Sequence, residues 1–119
     1  MTRKGFSLFE LLVVIAIVGI LAAVSIPRFS DFRATAYDSR SQQDLRNLAS
    51  AQELHRAANP RYAAGTGNLV SFRPSDGVEV NIDRADETGF LATAEHDAGS
   101  KVYSWDSSAQ PTLSSRNRR

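Results

Sequence analysis

The N-terminal part of the chain is almost entirely apolar. From Phe6 to Ile26 only three residues carry a polar side chain: Ser7, Glu10 and Ser25. A run of this length is enough for a helix to cross the hydrocarbon core of a bilayer. Arg3 and Lys4 precede it, and basic residues beside a span favour the cytoplasmic side. The pattern therefore predicts a membrane-spanning helix over residues 6–27, with the rest of the chain across the membrane.

After Pro27 the pattern becomes that of an amphipathic helix. Residues spaced three or four positions apart form one helix face, and they are Leu45, Leu48, Ala51, His55 and Ala58. The segment "NPRYAAGTG" follows and is rich in helix breakers. We therefore predict one long helix from Phe6 to near Ala58, whose second half, residues 28–59, packs on a soluble domain.

Charged residues on this second half predict ion pairs on its polar faces. Arg40 and Asp44 are four positions apart, and Glu53 and Arg56 are three positions apart. Both spacings make side chains neighbours on a helix surface.

Residues 60–110 have the pattern of a small β-sheet. Four short β-rich runs are separated by turn signals: "NLVSFR", "GVEVNID", "GFLATAEH" and "KVYSWD". In the second run, Val78, Val80 and Ile82 alternate with polar residues, which is typical of a strand with one buried face. The buried face is expected to include Phe72, Phe90 or Leu91, and Tyr103 or Trp105. Short connections favour an antiparallel meander of about four strands packed on the helix, an α+β fold. Residues 111–119 are predicted to be a flexible basic tail.

Two residues inside the span are unfavourable for a helix. Pro27 lacks an amide proton and predicts a kink, while Gly19 costs about 1 kcal/mol of helix propensity relative to alanine. We interpret residues 19–27 as a segment that can loosen when helices pack together. Ordinary tolerance is the alternative, because membrane helices are richer in Gly and Pro than soluble ones.

Glu10 is the one carboxylate in the apolar run. A charged side chain inside a membrane costs about 2.5–3.5 kcal/mol on insertion scales. A cut between Gly5 and Phe6 would remove Arg3 and Lys4 and create an α-amine at the helix edge. At a separation of about 4 Å and an effective dielectric near 20, such an amine would gain roughly 4 kcal/mol from pairing with Glu10. The pattern favours a carboxylate that fixes the register between neighbouring helices.

Composition excludes cysteine chemistry and offers few candidate catalytic residues. The formal net charge is +1 and there is no cysteine, so disulfides and thiolate metal sites are excluded. His55 and His96 are not at metal-ligand spacing, and the acidic run Asp83, Asp86 and Glu87 does not match a calcium loop. No nucleotide loop or catalytic motif occurs. We expect no enzymatic activity, no cofactor and no metal.

The stretch "KGFSLFELLVVIAIVGILAAVSIP" closely resembles the N-terminus of type IV pilins and type II secretion pseudopilins, and the similarity extends to about Leu48. The resemblance implies cleavage after Gly5 by the prepilin peptidase and N-methylation of Phe6. It also implies an inner-membrane precursor that an assembly platform polymerises into an extracellular helical filament of identical subunits. Glu10 would then neutralise a neighbour's N-terminal amine. Residues 1–5 would be the leader, and residues 60–110 the globular head.

Other assignments follow from single features. Aromatic residues along and just after the helix are candidates for a seam between subunits: Phe29, Phe32, Tyr37 and Tyr62. They also resemble the positions of short aromatic pilins proposed to conduct electrons, although seam packing is the favoured interpretation. The basic tail, Arg116, Arg118 and Arg119, could bind nucleic acid by charge, although a solubilising tail explains it as well.

Three classes of protein remain open on the sequence. The first is a type IV pilin, major or minor, and the second is a periplasmic pseudopilin of a type II secretion system. The third is a membrane-anchored periplasmic binding module. A secretory signal peptide is disfavoured, because its apolar region is shorter than this one. A plain anchor explains the length of the run but not Glu10.

Overall fold

A computed structural model describes residues 3–108 and 112–118 of the chain. One α-helix, α1, runs from Leu8 to Ala58, and a short 3₁₀ turn follows at Thr66–Asn68. Four strands complete the fold, β1 at Val78–Ala85, β2 at Phe90–His96, β3 at Lys101–Asp106 and β4 at Thr112–Asn117. They form one antiparallel sheet in the order β1-β2-β3-β4. The predicted α+β architecture, a long helix with a four-stranded sheet, is confirmed.

The chain divides into two units, residues 1–32 and 33–119. Every described residue from Arg3 to Phe32 is exposed within the molecule, including the large apolar side chains. Among the described residues, α1 is the one helix long and apolar enough to cross a membrane. A helix that is apolar on all sides is stable only when lipid or other helices cover it.

The second unit has its core between α1 and the sheet. Leu45, Leu48 and Phe90 are fully buried, and Ala92, Ala94 and Tyr103 pack with them. In β1 the apolar residues point inward and Glu79, Asn81 and Asp83 point outward, as the alternation predicted. Phe72 and Tyr103 are buried and Leu91 and Trp105 are half-buried, so Phe90 and Tyr103 supply the main aromatic contacts.

The first predicted strand, "NLVSFR", is wrong. Its backbone forms successive turns, because Leu69 N–H donates to Thr66 O at 3.1 Å and Phe72 N–H donates to Leu69 O at 3.2 Å. Leu69 and Phe72 are buried and Val70 is exposed. The buried residues are therefore three apart, which suits consecutive turns and breaks the alternation of a strand.

The predicted flexible tail is wrong for residues 112–117, which form β4. This strand pairs with β3 along its whole length, with Leu113 opposite Trp105 and Arg116 opposite Val102. β4 is an edge strand that contributes one half-buried apolar side chain, Leu113. Backbone pairing rather than side-chain burial holds it, so a hydrophobicity pattern gives no signal for it. Arg119 lies outside the described residues.

The predicted pair between Arg40 and Asp44 on a polar face is also wrong. Asp44 is buried, and its carboxylate accepts hydrogen bonds from the backbone N–H of Ser75 at 2.7 Å and from the Ser75 hydroxyl at 3.0 Å. Arg40 lies instead over the ring of Tyr37. The reason is that Asp44 lies next to Leu45 on the packed face of α1, where loop N–H groups need acceptors.

Glu53 is likewise not paired with Arg56 in the contacts of the described residues. Its carboxylate accepts a hydrogen bond from the Tyr62 hydroxyl at 3.0 Å, and Arg56 donates to the carbonyl of Asn59 at 3.2 Å. Burial and this hydrogen bond from its hydroxyl to Glu53 raise the pKa of Tyr62. Both side chains therefore bind the segment that follows the helix instead of each other.

Asp44 is one of three buried polar anchors on α1, together with Asp38 and Gln52. Asp38 accepts hydrogen bonds from the backbone N–H groups of Ser100 and Lys101 at 2.9 and 3.1 Å and from the Ser100 hydroxyl at 2.6 Å. Gln52 binds both backbone groups of Ala63, donating at 2.8 Å and accepting at 2.9 Å. Each anchor fixes a different loop to the helix.

Arg118 also binds the β2–β3 turn. Its guanidinium donates to the carbonyls of His96 and Asp97 at 2.9 and 2.8 Å and pairs with Glu95 at 3.3 Å. Its backbone N–H donates to Ser100 O at 2.8 Å. Asp38 and Arg118, from two different parts of the chain, therefore both bind the β2–β3 turn. These contacts stabilise a domain that contains no cysteine and so no disulfide.

The first prediction concerns Asp44. Asp44→Ala should destabilise a soluble fragment beginning near Arg28 by about 1.5–3 kcal/mol, since hydrogen bonds to a charged group of this kind contribute that much. Asp44→Asn retains one acceptor oxygen and should lose less. Urea unfolding followed by tryptophan fluorescence measures both. Glu87→Ala removes an exposed carboxylate in the β1–β2 turn and serves as the control. Equal midpoints for the Asp44 and Glu87 variants would contradict the anchor.

The second prediction concerns Arg118. Arg118→Ala should accelerate hydrogen exchange at the amides of β4 and of the turn at residues 97–100, because it removes both carbonyl contacts. Arg116→Ala is a matched control, because Arg116 lies in β4 two residues before Arg118. Its side chain makes no hydrogen bond or ion pair within the described part of the chain. The control removes the same charge and should leave exchange unchanged. Equal acceleration in both variants would mean that charge alone stabilises β4.

Candidate assembly site at the N-terminus

The start of α1 is fixed by two reciprocal hydrogen bonds. Ser7 is the residue before the helix, and Glu10 is the third residue within it. The backbone N–H of Glu10 donates to the Ser7 hydroxyl at 3.2 Å, and the backbone N–H of Ser7 donates to Glu10 Oε2 at 3.0 Å. The carbonyl of Ser7 accepts the first helical bond from Leu11 at 3.2 Å. This arrangement is a capping box, which satisfies two N–H groups that a helix start leaves open.

The capping box gives the Glu10 carboxylate a partner within its own chain. One of its oxygens accepts a backbone N–H, and the group lies in the first turn of the helix, where the helix dipole favours negative charge. Sequence reasoning about Glu10 considered only an amine as its partner. The pattern Ser-x-x-Glu before an apolar run was the available signal for the cap.

Gly5 and Phe6 precede the helix in irregular backbone. Residues 3–7 have no helical or strand assignment, and the Phe6 side chain is 88% exposed. A Cβ placed on Gly5 would meet no atom within 4 Å, and its φ lies outside the left-handed region. The chain's own conformation therefore does not require a glycine at this position.

Gly19 and Pro27 both lie inside α1 without interrupting its assignment. A Cβ on Gly19 would meet nothing within 4 Å. On either side of Pro27, Ser25 donates its hydroxyl to Leu21 O and Ser30 donates to Pro27 O, both at 2.7 Å. Such bonds from serine to the preceding turn often bend a helix. Loosening of residues 19–27 stays a prediction.

The four aromatic residues proposed for a seam have different surroundings. Phe29 and Phe32 are 65% and 71% exposed. Tyr37 stacks on His96, with ring centroids 4.2 Å apart, and Tyr62 packs at 5.2 Å against Phe90. The two tyrosines therefore have partners inside the head, whereas the two phenylalanines have exposed rings that remain candidates for packing between subunits.

His96 belongs to the packing of the head. It is buried, and its Nδ1 accepts the backbone N–H of Ala98 at 2.9 Å. Gly77 approaches it with a φ of 78°, and a Cβ there would lie 2.6 Å from Nε2. His55, the second histidine, is half-buried on α1. The contacts of His96 are those of a core residue.

The acidic run after β1 closes a turn. Asp86 Oδ1 accepts hydrogen bonds from Thr88 N–H at 2.7 Å, from the Thr88 hydroxyl at 2.6 Å and from Gly89 N–H at 2.9 Å. The Thr88 hydroxyl is the main cause that lowers the pKa of Asp86 to about 2, and the two N–H groups add to it. The Asp86 carboxylate is therefore bound by the backbone and the Thr88 side chain of its own turn.

Comparison with known proteins agrees with the arrangement at the N-terminus. A family model described as the prokaryotic N-terminal methylation motif matches residues 1–26. The type IV wide pilus major component PilA4 of Thermus thermophilus is 35% identical over 100 residues, covering 81% of this chain and 76% of that protein. The type IV major pilin protein PilA of Myxococcus xanthus is 39% identical over 75 residues, covering 63% and 34%.

A fimbrial protein of Neisseria meningitidis is 41% identical over 81 residues, covering 68% of this chain and 44% of that protein. The matches thus span from about a third to about three quarters of these relatives' lengths. The long apolar helix, the methylation motif and the extended match to PilA4 place this chain in the type IV pilin family.

Proposed function

We propose that this protein is a structural subunit of a type IV pilus. It is inserted in the bacterial inner membrane as a precursor and then polymerised with copies of itself into an extracellular filament. The observation that carries the proposal is that the apolar half of α1, as far as Phe32, is exposed along its length and begins at a methylation motif. Such a surface must be covered by lipid before assembly and by neighbouring helices after it.

The proposed processing step is cleavage between Gly5 and Phe6, followed by N-methylation of the new α-amine. Both residues lie outside the helix, and Phe6 is exposed, so the bond is accessible to a peptidase. Cleavage removes Arg3 and Lys4, which hold the N-terminus in the cytoplasm. It also converts the helix start from a neutral peptide into a cation, because an α-amine has an ordinary pKa near 7.7–8.0.

The proposed assembly step pairs Glu10 of one subunit with the Phe6 amine of another. Before assembly, the Ser7 N–H and the helix dipole partly compensate the carboxylate. Among apolar helices, a carboxylate with a charged partner is satisfied only at an offset that brings the two together. Polar groups in a helix seam set register in this way.

The pseudopilin alternative has the same helix and the same processing, but the assembly stays in the periplasm. The relatives described above are named pilins or fimbrial proteins, which favours a surface filament. The third class, a membrane-anchored binding module, would retain its first five residues. These relatives are structural proteins, which also fits the absence of a catalytic role.

The third prediction concerns processing. Intact-mass and N-terminal peptide analysis of sheared surface material should find a mature chain that begins with methylated Phe6. Cleavage at this bond exposes the amine that assembly needs, so filaments should contain the cut form alone. A mature chain that retains Arg3 and Lys4, or that begins after Ala23, would contradict the pilus proposal.

The fourth prediction concerns Glu10. Glu10→Ala should leave processed monomer in the membrane but abolish filaments, because each incoming subunit would bury an amine without a partner. Loss of one partner of a buried pair costs roughly 3–5 kcal/mol. Glu10→Gln removes the charge and should fail in the same way. Immunoblots of membranes and of sheared filaments separate the two pools. Normal filaments from Glu10→Ala would remove Glu10 from the assembly mechanism.

A further inference from the structure

We propose that Ser7 is a positioning residue for the cut, because the capping box that it forms with Glu10 keeps α1 from extending over the bond between Gly5 and Phe6. The inference rests on the proposed processing step and names what prepares the substrate for it. The peptidase would recognise an extended, non-helical peptide segment. This segment is directly followed by a helix whose first residue is fixed by the capping box.

The hydrogen bonds of the box exist only with Ser7 outside the helix. The Ser7 hydroxyl accepts Glu10 N–H at 3.2 Å, while Glu10 Oε2 accepts Ser7 N–H at 3.0 Å. Helix growth past Ser7 would move its φ and ψ to helical values and break this pair of contacts. The capping box therefore stops α1 from growing past Ser7 toward the N-terminus.

Little else in the sequence stops the helix at this point. Lys4 is a good helix former and Phe6 is an acceptable one, while Gly5 weakens helix growth without forbidding it. Between Arg3 and Ser7 there is no proline and no Ser, Thr, Asp or Asn, and Gly5 is the one residue that favours an N-cap position. Replacement of Ser7 by alanine, the strongest helix former, would both remove the stop and favour extension over Phe6.

The position of the helix start affects cleavage because a peptidase acts on accessible, non-helical backbone. The Gly5–Phe6 bond lies one residue before the cap, in backbone without secondary structure, and Phe6 is exposed. If the helix extends over this bond in a fraction of molecules, that fraction is not a substrate. Apparent affinity then falls in proportion to the competent fraction that remains.

The two roles of Glu10 can be separated by one substitution. A capping box accepts Gln as well as Glu at this position, since either side chain offers an oxygen to the N-cap amide. Pairing with an amine in assembly needs the negative charge. Glu10→Gln should therefore be cut at a normal rate and fail to assemble. Glu10→Ala should have a lower initial rate of cutting, so that processed monomer still accumulates with time, and should also fail to assemble.

The experiment measures initial rates of leader removal from the full-length chain in detergent by purified prepilin peptidase. Ser7→Ala should lower kcat/KM, mainly through a higher KM, by at most the roughly 3- to 10-fold by which loss of one helix cap shifts the equilibrium toward the extended helix. Ser7→Thr should restore the rate, because threonine also caps. Ser25→Ala is the matched control: it makes the same chemical change within α1, where the hydroxyl binds Leu21 O instead of a helix end.

Backbone carbon chemical shifts of the uncut chain in micelles provide a second readout. Phe6 and residue 7 should shift toward helical values in Ser7→Ala and stay non-helical in Ser7→Thr. Equal rates for the Ser7→Ala and Ser25→Ala variants, or a slow Ser7→Thr variant, would overturn this inference alone. No cleavage of the unchanged chain at Gly5–Phe6 would overturn the proposed processing and this inference together.

Discussion

The structure depends on one constraint, that backbone N–H groups not bonded within a helix or sheet need another acceptor where water is scarce. At the helix start, Ser7 and Glu10 supply two acceptors. In the head, the side chains of Asp38 and Asp44 accept N–H groups from loops that are far away in sequence. Both carboxylates lie on the packed face of α1, so the face that buries apolar residues also orders the loops. A purely apolar helix face would leave these loops without partners.

The same constraint accounts for how a domain without disulfides holds its ends together. The β2–β3 turn receives bonds from Asp38 on the helix and from Arg118 just after β4. These contacts are directional, whereas burial of apolar area is not. They define which part of the sheet faces which turn of the helix, and the small core adds the bulk of the favourable burial. Since these contacts use no thiol, their strength is independent of the redox state around the protein.

Sequence patterns were sufficient for the elements that bury a regular face. The heptad-like spacing around Leu45 and Leu48 and the alternation from Val78 to Ile82 gave the helix and β1 correctly. They failed for residues that are buried without strand pairing, and for residues that are paired in a strand without being buried. Leu69 and Phe72 are buried by turns, and β4 is paired while mostly exposed. The polar anchors join residues 31 and 62 positions apart, as Asp44 does to Ser75 and Asp38 to Ser100. No local spacing encodes such contacts. Glu10 was identified from its charge within an apolar run, and the Ser-x-x-Glu pattern was a sequence signal for the cap that this interpretation did not use.

The strand order β1-β2-β3-β4 repeats the order along the chain, and this has a kinetic meaning. Each strand pairs with the one made just before it, so the sheet can form by successive hairpins with little loss of loop entropy. The contacts of Asp38 and Asp44 close much longer loops and need a sheet to be in place. The head should thus assemble its sheet as an early event and gain its fixed docking on the helix late. A subunit anchored in a membrane by its apolar helix would pass through a stage in which the sheet has formed. At that stage the packed face of α1 would not yet be docked on the sheet and could contact other partners.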